Sequence, residues 1–441
     1  MKRLLKGGRV VDPSAGIDGQ FDVLIDGDRI ERVARDLPVD PSTMTVIEIP
    51  AGCLVVPGLI DMHVHLREPG QEHKETIATG TASAVAGGFT AVACMPNTTP
   101  VNDNAGVTRF ILKKAEEAGL ARVYPIGAVS RGSNGEHLAD IAELRDAGCV
   151  AVSDDGRPVA TALLMRRALE YTGMFHMPVV DHCEDPSLKG EGVAHEGYHA
   201  SLLGLRGIPA AAESIMVQRD VSLAQLTGGH VHIAHMSVEG SLEAVRDGKR
   251  RGVRVTCEVT PHHFTLTDEQ IAAPVTYDTN TKMNPPLRDT AHRDVLIQGL
   301  VDGSIDAIAT DHAPHHYDEK AVEFDRAPFG IVGLETCVSL AFDRLVHPGL
   351  LGVSRLVELL STNPARILNV PGGTLAAGAP ADVTILAPNL AVTVRRADLR
   401  SKSKNTPFDG WQLTGGVAAT IVAGRGVYTN PNVPGAEAFS A

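Results

Sequence analysis

Long apolar runs are missing from this chain of 441 residues. Every strongly hydrophobic segment breaks well short of the ~20 residues a membrane-spanning helix needs. The first residues, Met1 to Arg9, are basic but lack the apolar core of a secretory signal. Paired cysteine spacing is missing too. Cys53, Cys94, Cys149, Cys183, Cys257 and Cys337 are scattered singly, and five lie in or beside apolar runs, as buried reduced thiols do. Positive excess is absent: 53 acidic against 40 basic residues leave a net charge of −13, which excludes overall attraction to nucleic acid or an anionic membrane. A small anionic substrate stays open if its site carries local positive charge. No repeats or low-complexity segments occur. With 43% hydrophobic and 21% charged residues, the expectation is a cytoplasmic globular protein.

Residues 1 to about 52 read as short strands, with a hairpin turn at Asp26-Gly27. Beyond them, strand and helix alternate. Apolar strand candidates begin near Leu54, Phe89, Ala121, Cys149, Met177, His230, Val253 and Ile305. Helical periodicity fills the gaps, as in Thr108–Ala118 and Ala210–Leu226, and most helices end near a glycine. Eight such units predict a (β/α)₈ TIM barrel in the α/β class; an open doubly wound sheet is the alternative. Polar residues end nearly all eight strands, which favours the barrel. Strand-like text returns at Ala381–Leu386, Val392–Arg395 and Val417–Tyr428. Neither terminal piece is large enough to form a stable sheet alone. The expected organisation is a discontinuous β-sandwich from 1–54 plus 366–430, a barrel over 55–365, and a flexible tail over 431–441.

The first barrel strand carries the most telling stretch, Asp61-Met62-His63-Val64-His65-Leu66-Arg67-Glu68-Pro69-Gly70. Alternating side chains put His63 and His65 on one side, where both can close on one metal ion. Other strand ends supply Asp154 and Asp155, Asp181-His182-Cys183-Glu184, His235, and Asp311-His312 with His315. All would converge on the top of one barrel. Imidazoles and carboxylates without a cysteine cluster suit catalytic Zn²⁺, and the set can hold two ions bridged by one carboxylate. Zinc-ionised water would attack an amide carbonyl, and a carboxylate must carry the proton to the leaving nitrogen. Asp311, across the closing barrel from strand one, is the candidate.

These words are similar to those of the dihydroorotase family of the amidohydrolase superfamily, in the bacterial form that uses Asp where others carboxylate a Lys. The resemblance spans the chain. It rests most on the stretch from Asp61 to Gly70, on Met95-Pro96-Asn97-Thr98, on Lys282-Met283-Asn284-Pro285-Pro286-Leu287-Arg288, and on Thr310-Asp311-His312-Ala313-Pro314-His315. It implies that His63, His65 and Asp155 hold one zinc and that Asp155, His182 and His235 hold a second. Asp311 completes the metal shell and acts as general acid/base. Arg67, Asn97, Asn284 and His315 would contact substrate, with backbone contacts from Phe329-Gly330, while His262-His263 would be structural support and His232 no ligand. A guanidinium at Arg67 suits a carboxylate and provides the positive charge the acidic chain lacks. The implied reaction is the reversible cyclisation of N-carbamoyl-L-aspartate to dihydroorotate. The implied assembly is a homo-oligomer, with aspartate transcarbamoylase as a partner to test. No lysine lies between Leu144 and Arg157, which counts against hydantoinases, dihydropyrimidinases and allantoinases. An intact histidine set counts against a non-catalytic scaffold subunit. The loop 316–328 is open between a lid and a solvated loop.

Overall fold

The computed structural model describes residues 2–40 and 42–440. Eight parallel strands run in chain order: Leu59–Val64, Phe89–Cys94, Arg122–Gly127, Ala151–Val152, Val179–Asp181, Val231–Ile233, Val255–Val259 and Ala307–Ile308. The sheet closes where Val64 bridges to His312 and the His65 N–H donates to the His312 carbonyl at 2.8 Å. Asp61 fastens the same seam, accepting from the Thr310 N–H at 3.1 Å and the Thr310 hydroxyl at 2.6 Å. Inward positions are filled largely by small side chains, among them Ala93, Ala151, Ala234, Ala307 and Ala309. Bulkier residues pack between sheet and helices, so the barrel is a filled core whose polar groups collect at one mouth.

The connecting helices follow their local signals. Ala105–Ala118 starts at Asn104, whose side chain accepts from the Gly106 and Val107 N–H groups, and stops at Gly119 with φ +63°. No helix among the described residues is long and apolar enough to cross a membrane. All six cysteines are free and buried.

The chain ends form one mixed eight-stranded sheet. Its order is Arg425–Thr429, Gln412–Val422, Val383–Thr393, Leu54–Pro57, Lys2–Asp12, Ile17–Asp26 and Arg29–Ala34, with Met44–Glu48 parallel to Lys2–Asp12. The expected sandwich is thus a single hydrogen-bonded sheet whose two ends share one core, joining Ile25 and Ile30 to Ile385 and Ile421.

Two boundaries differ from expectation. The apolar run from Leu54 to Ile60 is two strands, not one. Leu54–Pro57 pairs with Val383–Leu386 in the terminal sheet, and the barrel starts only at Leu59. Gly58 separates them because its N–H is tied to the Asp382 carbonyl and a Cβ there would meet the Thr90 hydroxyl at 2.2 Å. At the other end, helix Asn363–Leu368 runs past the expected barrel limit of 365. The tail is a correction as well: Ala436–Ser440 forms a 3₁₀ turn, with Val433, Ala436 and Phe439 buried in the terminal core. Phe439 supplies the apolar surface that a flexible tail would leave in water.

Candidate active site

The mouth of the barrel gathers four histidines around two carboxylates. Asp155 sits at the centre. Its Oδ1 lies 3.5 Å from His63 Nε2, 3.7 Å from His182 Nδ1 and 3.6 Å from His235 Nε2, while its Oδ2 lies 3.5 Å from His65 Nε2. Asp311 Oδ1 stands 3.0 Å from His65 Nε2 and 3.5 Å from His63 Nε2. Two ligand groups of metal-binding spacing result, His63–Asp155–His235 and His63–His65–Asp311.

The hydrogen bonds behind these rings decide which nitrogens face inward. His63 Nδ1 donates to Glu258 Oε1 at 2.8 Å, and His65 Nδ1 to Asn97 Oδ1 at 2.9 Å. Both Nε2 lone pairs are therefore turned toward carboxylate oxygens, acceptor against acceptor. His63 Nε2, His235 Nδ1 and Asp155 Oδ1 have no hydrogen-bond partner although they are buried. Only a cation or a proton reconciles such a set, so the residues fit a divalent metal. Burial alone would push His63 down, but Asp155 and Asp311 hold it well above the usual imidazole range. Against the same burial, His63 and neighbouring imidazoles hold Asp155 and Asp311 well below the usual carboxylate range.

Adjacent residues divide the work. Asp154 accepts from the Ser130 N–H at 3.0 Å and from its hydroxyl at 2.5 Å, facing away from the histidines. His232 is engaged through both nitrogens, with Thr256 at 2.8 Å and Glu258 at 3.1 Å. His263 is likewise saturated by Thr260 and the Pro285 carbonyl.

Arg67 is buried, and its Nε donates to the Pro314 carbonyl at 3.2 Å. No carboxylate lies within 4.0 Å of its guanidinium among the described residues; its NH2 is 3.4 Å from His315 Nε2. Burial lowers it to about 10, which still leaves it charged at neutral pH. His315 Nε2 donates to the Phe329 carbonyl at 2.8 Å. Asn284 Nδ2 reaches His182 Nε2 and Glu184 Oε2, each at 3.2 Å, leaving its own Oδ1 unpartnered. The Gly330 N–H donates to the Lys282 carbonyl at 2.9 Å and its carbonyl accepts from Asn405 Nδ2 at 3.1 Å. Those groups support the wall behind His315. The 316–328 loop is neither fully solvated nor free of the barrel, for Lys320 and Phe324 are buried and Lys320 Nζ donates to the Thr279 and Pro328 carbonyls.

A family model described as Dihydro-orotase-like matches residues 52–241. The chain is 53% identical to the dihydroorotase of Pelobacter propionicus over 97% of its own length and 100% of that protein's. It is 55% identical to the dihydroorotase of Pelotomaculum thermopropionicum, covering 96% of this chain and 98% of the relative. The chain belongs to the dihydroorotase family. Among solved structures, the L-hydantoinase (dihydropyrimidinase) of Arthrobacter aurescens superposes with a TM-score of 0.86 at 24% identity over 97% of this chain and 96% of that one. The dihydropyrimidinase of Brevibacillus agri gives 0.83 at 23% identity, over 98% and 95%. At such identity these two speak for the fold alone.

Within this dihydroorotase-family fold, Glu258 is a site neighbour that none of the sequence motifs marks. Glu258, on the seventh strand, bonds both His63 and His232; burial raises it, but those imidazoles outweigh burial and hold it at about 2. Its signal in the sequence is a carboxylate within a short, mostly buried strand, Val255-Thr256-Cys257-Glu258-Val259. His262, expected to be structural support, has a buried Nε2 without a hydrogen-bond partner. Backbone strain at the site left no sequence signal. Arg67, His235 and Asp311 adopt φ of +61°, +31° and +48°, a conformation that costs roughly 1–3 kcal/mol each for side-chain-bearing residues.

Proposed function

We propose that this chain is a metal-dependent dihydroorotase that interconverts N-carbamoyl-L-aspartate and dihydroorotate, a step of pyrimidine synthesis. Hydrolysis of a cyclic amide, the reaction class, follows from membership of the family. The single observation that carries the substrate is Arg67, a buried guanidinium with no carboxylate of its own beside an acceptor-lined metal cradle. It suits the carboxylate of dihydroorotate, which hydantoin and allantoin lack.

His63, His65, Asp155, His182 and His235 would hold the metal, with Asp311 at its edge. Zinc is the ion that imidazole and carboxylate donors favour, and the two ligand groups support two ions. Bound there, the metal would polarise the ring carbonyl and make water acidic enough to attack it. Asp311, ionised because its neighbouring imidazoles hold it low, takes the proton from the attacking water at a carboxylate oxygen. It returns that proton to the ring nitrogen as the amide C–N bond breaks, and the reverse sequence closes the ring. Arg67 and His315 would orient the substrate carboxylate. Asn97 and Asn284 would hold its polar edge, and Phe329-Gly330 would back His315. Glu258 and Asn97 fix the tautomers of His63 and His65. Six free thiols suit a cytoplasmic setting. A homo-oligomer and an aspartate transcarbamoylase partner complete the proposal and call for a sizing experiment with and without that enzyme.

The test compares wild type with Asp311→Asn on dihydroorotate, hydantoin and allantoin, with metal content measured on the same samples. Preference for hydantoin or allantoin, or full turnover by the variant, would falsify the assignment.

A further inference from the structure

His315 also lines a second cavity, of 610 Å³, whose walls contain no Asp or Glu. In a chain with 13 more acidic than basic residues, this wall has four lysines or arginines, Lys320, Arg396, Lys402 and Lys404, and the histidines His73, His315 and His316. Pairing does not cancel the lysines. Lys404 Nζ donates to the Leu399 and Ser401 carbonyls, Lys402 Nζ to the Glu72 carbonyl, and Lys320 Nζ to the Thr279 and Pro328 carbonyls. No carboxylate lies within 4.0 Å of these three among the described residues. Glu319, the acid nearest His315, is taken by Lys74 at 3.0 Å. Arg396 faces Asp409 at 3.4 Å and His316 faces Asp318 at 3.4 Å, while His73 and His315 stand 4.0 and 3.7 Å from Glu319, so the three lysines are the wall's charges free of an acid.

The wall is built to stay in place. Glu335 accepts the Arg400 and Ser401 N–H groups at 2.7 and 3.1 Å, Glu75 accepts the Lys402 N–H at 3.0 Å, and Asn405 bonds His315 and the Ala313 carbonyl. These anchors hold the segment 400–405 against the barrel mouth, so its ammonium groups are preorganised rather than loosely solvated. His315 is the shared partition, lining this cavity while its Nε2 stands 3.4 Å from Arg67.

We infer that this cavity is a cationic vestibule that captures small dicarboxylates and passes them to Arg67. The inference rests on the proposed reaction only for the identity of the natural ligand, N-carbamoyl-L-aspartate, a dianion. Concentrated positive charge in a concave wall raises the local concentration of such an anion, and salt weakens the effect.

Two measurements on the full chain test it. In the first, kcat/KM for cyclisation is followed from about 0.02 M to about 0.3 M salt in wild type and in Lys402→Gln/Lys404→Gln. The variant should start roughly three- to tenfold lower, fall less with salt, and keep kcat within about twofold. Lys402→Arg/Lys404→Arg should restore the wild-type slope. Equal kcat/KM and equal slopes overturn the vestibule. In the second, line broadening of ¹³C-succinate is recorded with Arg67→Met, which disables the catalytic pocket. Salt-sensitive broadening should persist there and vanish when Lys402→Gln/Lys404→Gln is added; its absence from Arg67→Met alone overturns the vestibule. If wild type fails to turn over dihydroorotate while that succinate pattern holds, the reaction is wrong and the vestibule stands.

Discussion

Two kinds of buried carboxylate occur in this protein, within one barrel. Glu213, Glu75 and Asp61 are surrounded by donors. Glu213 accepts from the Ser237 hydroxyl, the Ser237 N–H at 3.0 Å and the Val238 N–H at 3.3 Å, and Glu75 from the Ser401 hydroxyl and the Lys402 N–H. Asp155 is surrounded by imidazole nitrogens at 3.5–3.7 Å, and its Oδ1 has no hydrogen-bond partner. The first kind ties one strand end to the next helix or loop. The second kind gathers lone pairs around a common point. A buried carboxylate is costly in either setting unless something neutralises it, and for the second kind a cation or a proton on the facing imidazoles must do so. The incomplete hydrogen bonding is therefore the functional signature, and burial by itself is not.

The sharpest way to break this contrast is Asp155→Asn. The amide keeps the shape but places N–H donors against imidazoles and removes the negative charge of the His63–Asp155–His235 group. Loss of metal from the purified protein and a fall in kcat/KM of roughly 10³-fold or more are expected, with the far-UV circular dichroism unchanged. An Asp155→Asn protein that keeps its metal would place Asp155 in the first kind.

Next comes removal of the metal from wild type. Chelation should abolish turnover and lower the melting temperature, because a ligand at 10²–10³ times its Kd contributes about 3–4 kcal/mol to the folded state. Adding zinc should restore both. A chelated protein with wild-type turnover contradicts the cradle.

The contrast also explains what could be read before folding and what could not. Residue type and strand-end position lead to the expectation that His63, His65, His182, His235 and Asp311 meet at one mouth, because in a barrel every strand ends there, and the structure gathers them around Asp155. Asp154 and Asp155 needed more: alternation allows only one to face inward, and the Ser130 bonds that occupy Asp154 come from a loop 24 residues away. The limits of the terminal sheet were harder. Leu54–Pro57 and Leu59–Val64 carry the same apolar pattern, and only contacts with Val383–Leu386 and Thr90, distant in the chain, divide them at Gly58. The docking of Phe439 is hidden for a related reason, since a short Ala/Gly/Pro-rich tail shows no periodicity and its one aromatic does the docking. The positive φ at Arg67, His235 and Asp311 is imposed by tertiary packing, which no local propensity encodes.

Glu258 sharpens the comparison because it stands between the two kinds, bonded to His63 on one oxygen and His232 on the other. Glu258→Gln should weaken metal binding about 10–100-fold with the fold retained, measured by competition with a chromogenic chelator. A pH effect accompanies it. With Glu258 held at about 2 in the folded state and the ordinary value of 4.5 when unfolded, its contribution is present above about 4.5 and lost as pH falls toward 2. Acid unfolding of the variant should accordingly be shallower across that window. Parallel curves for variant and wild type would mean that His63 and His232 do not hold Glu258 ionised.

The smallest effect should come from the fully satisfied kind. Glu213→Gln keeps one carbonyl oxygen for the Ser237 and Val238 N–H groups and turns an amide toward the Ser237 hydroxyl, which can still accept. The loss is the charge assistance of three hydrogen bonds, which become neutral ones, together with the more distant attraction of Arg288 at 3.9 Å. About 1 kcal/mol of stability should go, read from urea unfolding, while metal content and kcat stay at wild-type levels. If Glu213→Gln instead lowered metal content as Asp155→Asn is expected to, the division would fail. Tight hydrogen bonding would then be as much a part of the metal cradle as the unpartnered acceptors are.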